Sequence, residues 1–303
     1  MITVVGAGLA GSVLALELAA LGQSVSLIDP GSGATPNATP NATALSYGLL
    51  PPQAGSAWRR LQRRHGDLGL RRRWLQLGRR ALPLPALQVD PRRFAAAAAA
   101  ALQRLGVARE TRALQQPEAL APLLAQGPVV LACGSGCRQL APQLEGRLRC
   151  SWAGILELPP SCRPAWPRGV ARLPARFERQ QLEQEAEGLQ DERWIVDAGL
   201  VPCGDRLLAG QITLVRPDLE PGPPPEPAVM EQRLRGALAR RWPLLAAAPG
   251  HYQQAAVSFC SDGVPLVGPA GDGLWVLAGF SGAFGQLPAA AAALAVQLAA
   301  GSG

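Results

Sequence analysis

The chain has 303 residues, enough to bury a sizeable core as one large domain or two interleaved ones. Its net charge is +7, and the basic side is entirely arginine: there is no lysine, and His65 and His251 are the two histidines. Those absences exclude a Schiff-base lysine and a Walker-type lysine, argue against histidine chemistry and metal ligation, and assign the reactivity to a bound cofactor.

Residues 4–11 read VVGAGLAG, a short apolar strand entering a Gly6-x-Gly8-x-x-Gly11 loop completed by Ala7, Leu9 and Ala10. Leu9, Val13, Leu16, Leu18 and Leu21 mark a helix, and a second strand over 24–28 ends in Asp29. Strand, glycine turn, helix, strand and acidic residue in that order hold the diphosphate of a dinucleotide. Gly6 serves the tight turn, Gly8 the close approach of backbone to pyrophosphate, and Gly11 the packing of helix on strand. The first-turn N–H groups and the helix dipole face the phosphates, while Asp29 accepts from a ribose hydroxyl.

Residues 31–41 form a Gly/Pro/Asn/Thr loop. Its Asn37 and Asn41 sequons are chance matches, because no basic leader precedes the first strand. The segment 58–80 carries Arg59, Arg60, Arg63, Arg64, Arg71, Arg72, Arg73, Arg79 and Arg80, with Trp58, Leu61, Leu68 and Trp74 interspersed. A site for nucleic acid, phosphate or an acidic partner is one reading; a solvated helix face is the favoured one.

Asp90-Pro91 opens a helix that runs to Leu105-Gly106, with Asp90 as N-cap and Pro91 as its first residue. The all-apolar run PVVLA at 128–132 reads as a buried parallel strand ending at Cys133-Gly134. Short β-like runs across 155–215 indicate an antiparallel sheet, and the acidic, Gln-rich stretch 178–192 reads as a solvated helix. After a proline-rich connector at 221–227 comes an amphipathic helix over 229–242, stopped by Pro243. The C-terminal part reads DGVPLVG at 262–268, the strand LWVLA at 274–278, a glycine turn at 279–285 and an alanine-rich helix over 288–300. Glycines at 279, 282 and 285 exceed what a plain strand-to-helix connection needs.

The six cysteines match neither a disulfide framework nor a zinc site. No apolar run approaches the roughly 20 residues of a membrane span. Both features lead to the expectation of a cytoplasmic, reducing location.

In this order, VVGAGLAG with Asp29, the Gln88-Val89-Asp90-Pro91 helix start, VVLACGSG at 129–136, and DGVPLVGP at 262–269 with AGFSGAFGQLP at 278–288 resemble one family. It is that of the FAD-dependent oxidoreductases of the D-amino-acid oxidase type, which includes glycine and sarcosine oxidases. The resemblance implies an α/β fold: a Rossmann-like FAD-binding domain with a parallel sheet, interleaved with an α+β substrate domain whose sheet is mainly antiparallel. The first would comprise 1–50, 88–150 and 258–303, the second 51–87 and 151–257. It implies FAD as cofactor, held by the glycine loop and Asp29, by Thr43 and Gly48 beside the flavin ring, and by Cys133 and Gly134. Gly279, Phe280, Ser281, Gly282, Ala283, Phe284 and Gly285 would face the pyrimidine end, where a helix N-terminus stabilises negative charge.

The departures from the family pattern are specific. Amino-acid oxidases place a carboxylate-clamping arginine five residues before the D-G-x-P aspartate, where this chain has Val257. Sarcosine oxidases attach flavin through a cysteine seven residues before it, here Ala255, so non-covalent FAD is expected. The lysine near the C-terminal turn is replaced by Gln286. The expected activity is hydride removal from a C–H bond beside an amine nitrogen of a small molecule. Tyr47 and Phe280 are candidate pocket walls, or equally core residues, and Arg216 is a candidate for an anionic group. The alternatives are an RNA-associated flavoprotein using the segment from Arg59 to Arg80, and a flavin-binding module that has lost catalysis. Substrate and electron acceptor stay open at this point.

Overall fold

The computed structural model describes residues 1–31, 41–78, 82–162, 169–217 and 222–301. In chain order come β1 (Ile2–Val5), α1 (Leu9–Ala20), β2 (Val25–Asp29), β3 (Leu49–Leu50), α2 (Gly55–His65), β4 (Leu70–Leu77), β5 (Leu84–Val89) and α3 (Pro91–Arg104). There follow β6 (Ala108–Thr111), α4 (Ala121–Leu124), β7 (Val129–Leu131), α5 (Gly136–Leu140), β8 (Leu148–Leu158), β9 (Val170–Leu173) and α6 (Glu178–Gln184). The remainder is β10 (Arg193–Cys203), β11 (Arg206–Val215), α7 (Pro227–Ala239), β12 (His251–Cys260), β13 (Leu266–Gly271), β14 (Leu274–Ala278) and α8 (Ala283–Ala300).

The first sheet has the order β13-β14-β7-β1-β2-β6, parallel except for β13, which runs antiparallel to β14. Both faces of its central strands are covered, which is why β7 and β14 are apolar without interruption, while the edge strand β6 is polar and exposed. Val4, Val130 and Ala132 pack on the side of α1, α3 and α8, while Val5, Val129 and Leu131 pack on the side of α5. The second sheet, β12-β8-β11-β10-β9-β4-β5-β3, is antiparallel except for the β4–β9 pair. One face, including Leu156, Leu200 and Ala209, is covered by Met230, Leu234 and Leu238 of α7. The other face, including Ile155, Val201 and Leu208, receives Leu45 and Tyr47 from the segment after the first βαβ unit.

Asp90 caps α3 as expected, accepting from the N–H groups of Arg92 (3.0 Å) and Arg93 (3.3 Å). It also receives Arg206 at 3.2 Å, and Arg206 reaches Glu157 at 2.7 Å. This buried ion network ties the helix to the end of β8 and the start of β11.

Several expectations change. The arginine segment is not one helix face: α2 ends at His65, and Arg71, Arg72 and Arg73 lie on β4. Arg71 pairs with Asp67, Arg73 with Gln88 and Arg64 with Glu17, while Arg79 and Arg80 fall outside the described residues. Trp58 and Leu61 of α2 are buried in the apolar core that α1, α3 and α8 form beneath the first sheet. The stretch 178–192 is helical only at its start, and Glu183 inside that helix is buried rather than solvated. The Asn37 sequon lies outside the described residues; in the other, Thr43 is engaged in the glycine-loop region. The amphipathic helix begins at Pro227, a residue suited to a first helical position, and stops at Ala239.

The last helix starts at Ala283, five residues before the proline expected to open it. Pro288 has no N–H to give the Phe284 carbonyl one turn back. The Trp58 indole N–H fills that vacancy at 2.6 Å, and its ring stacks on Phe284 with centroids 5.9 Å apart. Trp58→Phe should keep the packing but leave a buried carbonyl unpaired, costing about 1–3 kcal/mol in urea unfolding. An unchanged midpoint would show that the carbonyl finds another donor. By length and composition α8 could cross a membrane, yet Leu287, Ala291, Leu294 and Leu298 are buried in the core that it forms with α1.

Candidate functional site: a crevice at the head of the parallel sheet

Strand order reverses direction between β1 and β7: β1 is followed outward by β2, and β7 by β14 on the other side. In open α/β sheets, ligands bind at such a switch point, outside the carboxyl ends of the strands. Gly6, in the left-handed region at φ +106°, lies there against the backbone that leaves β7. A Cβ on it would be 2.7 Å from Ala132 O and 2.7 Å from Cys133 Cα. A Cβ on Gly11 would land on the Gly6 carbonyl, so this glycine serves the seating of α1 on β1. At Gly8 the case differs, because a Cβ would meet only Thr43 Oγ1, at 3.5 Å.

The loop is fixed by two side chains. Asp29 accepts from the Ala7 N–H at 2.8 Å and from the Gly31 N–H at 2.8 Å, while Thr43 Oγ1 accepts from the Leu9 N–H at 3.0 Å. Neither α1 nor α8 has a side-chain cap of its own, and the N-cap positions are Gly8 and Gly282. Both helices follow parallel strands, so both N-termini open at the same end of the sheet. A Cβ on Gly282 would meet nothing within 4 Å.

The family model of the FAD dependent oxidoreductases, DAO, matches residues 80–297. The chain belongs to the DAO family. It is an FAD-dependent oxidoreductase. No curated protein matches the sequence. The fold is that of glycine oxidase from Geobacillus kaustophilus, with TM-score 0.67 and 16% identity over 99% of this chain and 94% of that one. An L-amino acid deaminase from Proteus vulgaris gives 0.61 and 15%, covering 99% of this chain and 89% of its own. Fructosamine oxidase from Aspergillus fumigatus gives 0.64 and 15%, covering 100% and 86%.

The crevice fits the cofactor of the DAO family. Gly8 and Gly282 leave open space in front of the N-termini of α1 and α8, whose N–H groups beyond the Leu9 N–H taken by Thr43, together with the helix dipoles, suit an electron-rich ligand. The structure brings together Gly6, Ala7, Gly8, Leu9, Ala10, Gly11, Asp29, Thr43 and the turn at Cys133 and Gly134. Gly48 has a packing reason of its own, since a Cβ there would land on the Val89 carbonyl. Gly279 backs onto Cys260 Sγ, and Gly285 onto Pro51, where a Cβ would be 2.9 Å from Cγ. All six cysteines are free thiols; Cys133 and Cys137 have their sulfurs 3.5 Å apart.

The candidate wall residues are packed. Tyr47 is buried, its hydroxyl donates to the Gly210 carbonyl, and burial, then the nearby Asp197, holds its ionisation well above the usual phenol range. Phe280 is buried in the core beneath the first sheet. Arg216 is held by the Pro223 carbonyl at 2.8 Å and lies 3.7 Å from Glu192, so its guanidinium is committed to neighbours within the second sheet's loops.

A polar group that the sequence reading did not single out lies at the start of α8. Arg179 of α6 donates to the Ser281 carbonyl at 2.7 Å, and its Nε is 3.7 Å from Glu183 Oε1. Asp197 on β10 accepts from the N–H groups of Glu178 (3.1 Å) and Arg179 (3.4 Å), capping α6 from outside. Burial raises the pKa of both Glu183 and Asp197; Arg179 opposes this at Glu183, the two N–H groups at Asp197. Nothing local marks Glu183 in a Gln-rich helix, because the groups that bury it are contributed from far along the chain.

A buried carboxyl with a raised pKa contributes most to stability while protonated, below its unfolded value, and that contribution is lost as pH climbs through the folded value. Glu183→Gln should therefore raise the thermal midpoint at pH 8 and leave it unchanged at pH 4. A midpoint lowered at pH 8 would mean that the ionised carboxylate stabilises the fold.

Proposed function

We propose that the chain oxidises a small amine at the carbon next to nitrogen, with its FAD held non-covalently. The observation that carries this reading is the character of β12 on its inner face. Ala255, at the position of a flavin-linking cysteine, is buried in an apolar cluster with Ile155, Val201 and Leu208, and Val257, at the position of a carboxylate clamp, packs against that cluster. The buried Cys260 lies behind Gly279, away from those two positions.

On this reading the first-turn N–H groups of α1 from Ala10 onward hold the diphosphate, with Gly8 leaving room for it and Thr43 fixing the helix start through the Leu9 N–H. Asp29, which holds Ala7, is the residue that would accept from an adenosine ribose hydroxyl. The N-terminus of α8 favours negative charge at the far end of the cofactor. When bound, FAD supplies the acceptor for the electron pair of the C–H bond. The remaining requirement is alignment of that carbon at about 3–3.5 Å, which the apolar face of the second sheet provides by excluding water. A chain without lysine and with two histidines is equipped for such a reaction.

The purified protein should be yellow, acid or heat should release free FAD, and a primary alkylamine should bleach the visible flavin band without oxygen. Colour retained by the denatured polypeptide would refute the non-covalent link. A flavin that photoreduces but is bleached by no amine would leave a binding module instead of an amine oxidoreductase.

A further inference from the structure

Glu183 is 1% exposed, and among the described residues its carboxyl oxygens accept no hydrogen bond of good geometry: the polar groups beside them are the Arg179 Nε, at 3.7 Å, and the Ser281 side chain. Burying a polar group in that condition is costly, and an orphaned carboxyl calls for a donor that completes it. Its surroundings are specific. Val215 and Phe259 pack with Leu182 of α6 and with Ala186, just beyond that helix, in one small apolar cluster. On the polar side are Arg179 from the same helix, Asp197 from β10 and Ser281 from the turn entering α8. Tyr47, from the segment after the first βαβ unit, faces Asp197. Among the described residues the group therefore brings together the buried carboxyls of Glu183 and Asp197, with Glu178 beside the latter, and the guanidinium of Arg179, which donates to the Ser281 carbonyl.

We propose that Glu183 is the residue that receives the substrate's amine: it accepts a hydrogen bond from the nitrogen and takes the proton that an ammonium group loses before oxidation. This rests on the amine-oxidation reading above and names the substrate class as a compound with a cationic amine and no acid group close to it. The balance is simple. The ammonium N–H bond breaks, its proton goes to Glu183 Oε, and a neutral amine faces a neutral carboxylic acid. The adjacent C–H bond then gives its electron pair and hydrogen to FAD, leaving an iminium ion. A nitrogen lone pair is needed for that second step, because an ammonium has none to stabilise the developing cation. A site lined by carboxyls is also hostile to a substrate carboxylate. Arg179 does not offset this, since it already faces Glu183 and donates to Ser281.

The test uses the FAD-loaded protein and n-butylamine as probe. Glu183→Gln keeps the shape and removes the proton acceptor. Calorimetric binding without oxygen, in two buffers of different ionisation enthalpy, reports affinity and protons exchanged. For the wild type, the proton exchange should vary with pH as Glu183 titrates; for Glu183→Gln that component should vanish and affinity should fall at least about tenfold. The bimolecular rate of flavin bleaching should fall about 100-fold or more, with loss of the pH limb assigned to a general base. Should Glu183→Gln lose FAD, Glu183→Asp and direct carbon NMR titration of the wild-type carboxyl with and without n-butylamine decide the matter. If n-butylamine binding leaves that titration unmoved, or if Glu183→Gln keeps the wild-type affinity, proton exchange and pH profile, Glu183 is not the acceptor although amine oxidation stands. If no amine bleaches the wild-type flavin, the amine reading itself has failed.

Discussion

Gly8→Val should purify as a folded protein without flavin. Gly8 has φ −68° and ψ −166°, a backbone conformation open to any residue, and a Cβ there meets only Thr43 Oγ1 at 3.5 Å. The protein itself therefore accommodates the change at a cost of about 1 kcal/mol for an unfavourable N-cap residue. The new side chain occupies the space in front of the α1 N-terminus, where the diphosphate must approach. Losing two charge-assisted hydrogen bonds at about 1.5–3 kcal/mol each weakens binding by about two to four orders of magnitude. The circular dichroism spectrum of the apoprotein should match the wild type and its thermal midpoint should fall by only about 2–4 °C, with FAD titration showing the loss. Gly11→Ala is the informative contrast, because its methyl collides with the Gly6 carbonyl and should cost stability and flavin together. A folded Gly8→Val protein with full FAD occupancy would remove the loop from the cofactor site.

Glycine, sarcosine and D-alanine should bleach the flavin at least about 100-fold more slowly than an amine of similar size without an acid group. A free α-amino acid would bring its carboxylate against Val257 and the apolar cluster around Ala255. A charged hydrogen bond contributes about 1.5–3 kcal/mol, and a buried anion left unpaired costs more than that. Each 1.36 kcal/mol is tenfold in rate, so the clamp's absence accounts for one to two of the expected decades. Asp197 and Glu183 add repulsion from the side of the α8 turn, which Arg179, committed to Ser281, leaves unanswered. Anaerobic bleaching at matched concentrations measures the ratio. Equal rates for glycine and the acid-free amine would mean that a cation reaches the substrate carboxylate from another element.

Sequence patterns were informative where the physics is local. The glycine loop, Asp29 and PVVLA carry their meaning in a few adjacent residues, because turn geometry and burial on both faces leave immediate signatures. Asp90-Pro91 does the same for a helix start. Three features were hidden, two of them because their partners are remote. Pro288 sits within its helix because Trp58, 226 residues away from the carbonyl it serves, replaces the missing N–H. The arginine segment looked like one surface, but a turn at Gly66 divides it between helix and strand and gives several of its charges separate partners. Glu183 looked solvated because composition describes its own helix and not Val215 or Phe259, on which the neighbouring Leu182 packs.

The placement of β14 between β13 and β7 has a consequence for biosynthesis. Translation delivers about 5–20 residues per second, and β7 emerges well over a hundred residues before β14. During that interval β7 has no neighbour on one side, and the apolar flank of α1 that α8 covers is bare. The nascent chain thus exposes a strand edge and a greasy helix surface together, the combination that invites aggregation and chaperone capture. Pulse-labelled synthesis should find these arrested chains protease-sensitive up to about residue 280 and protected once α8 has left the ribosome.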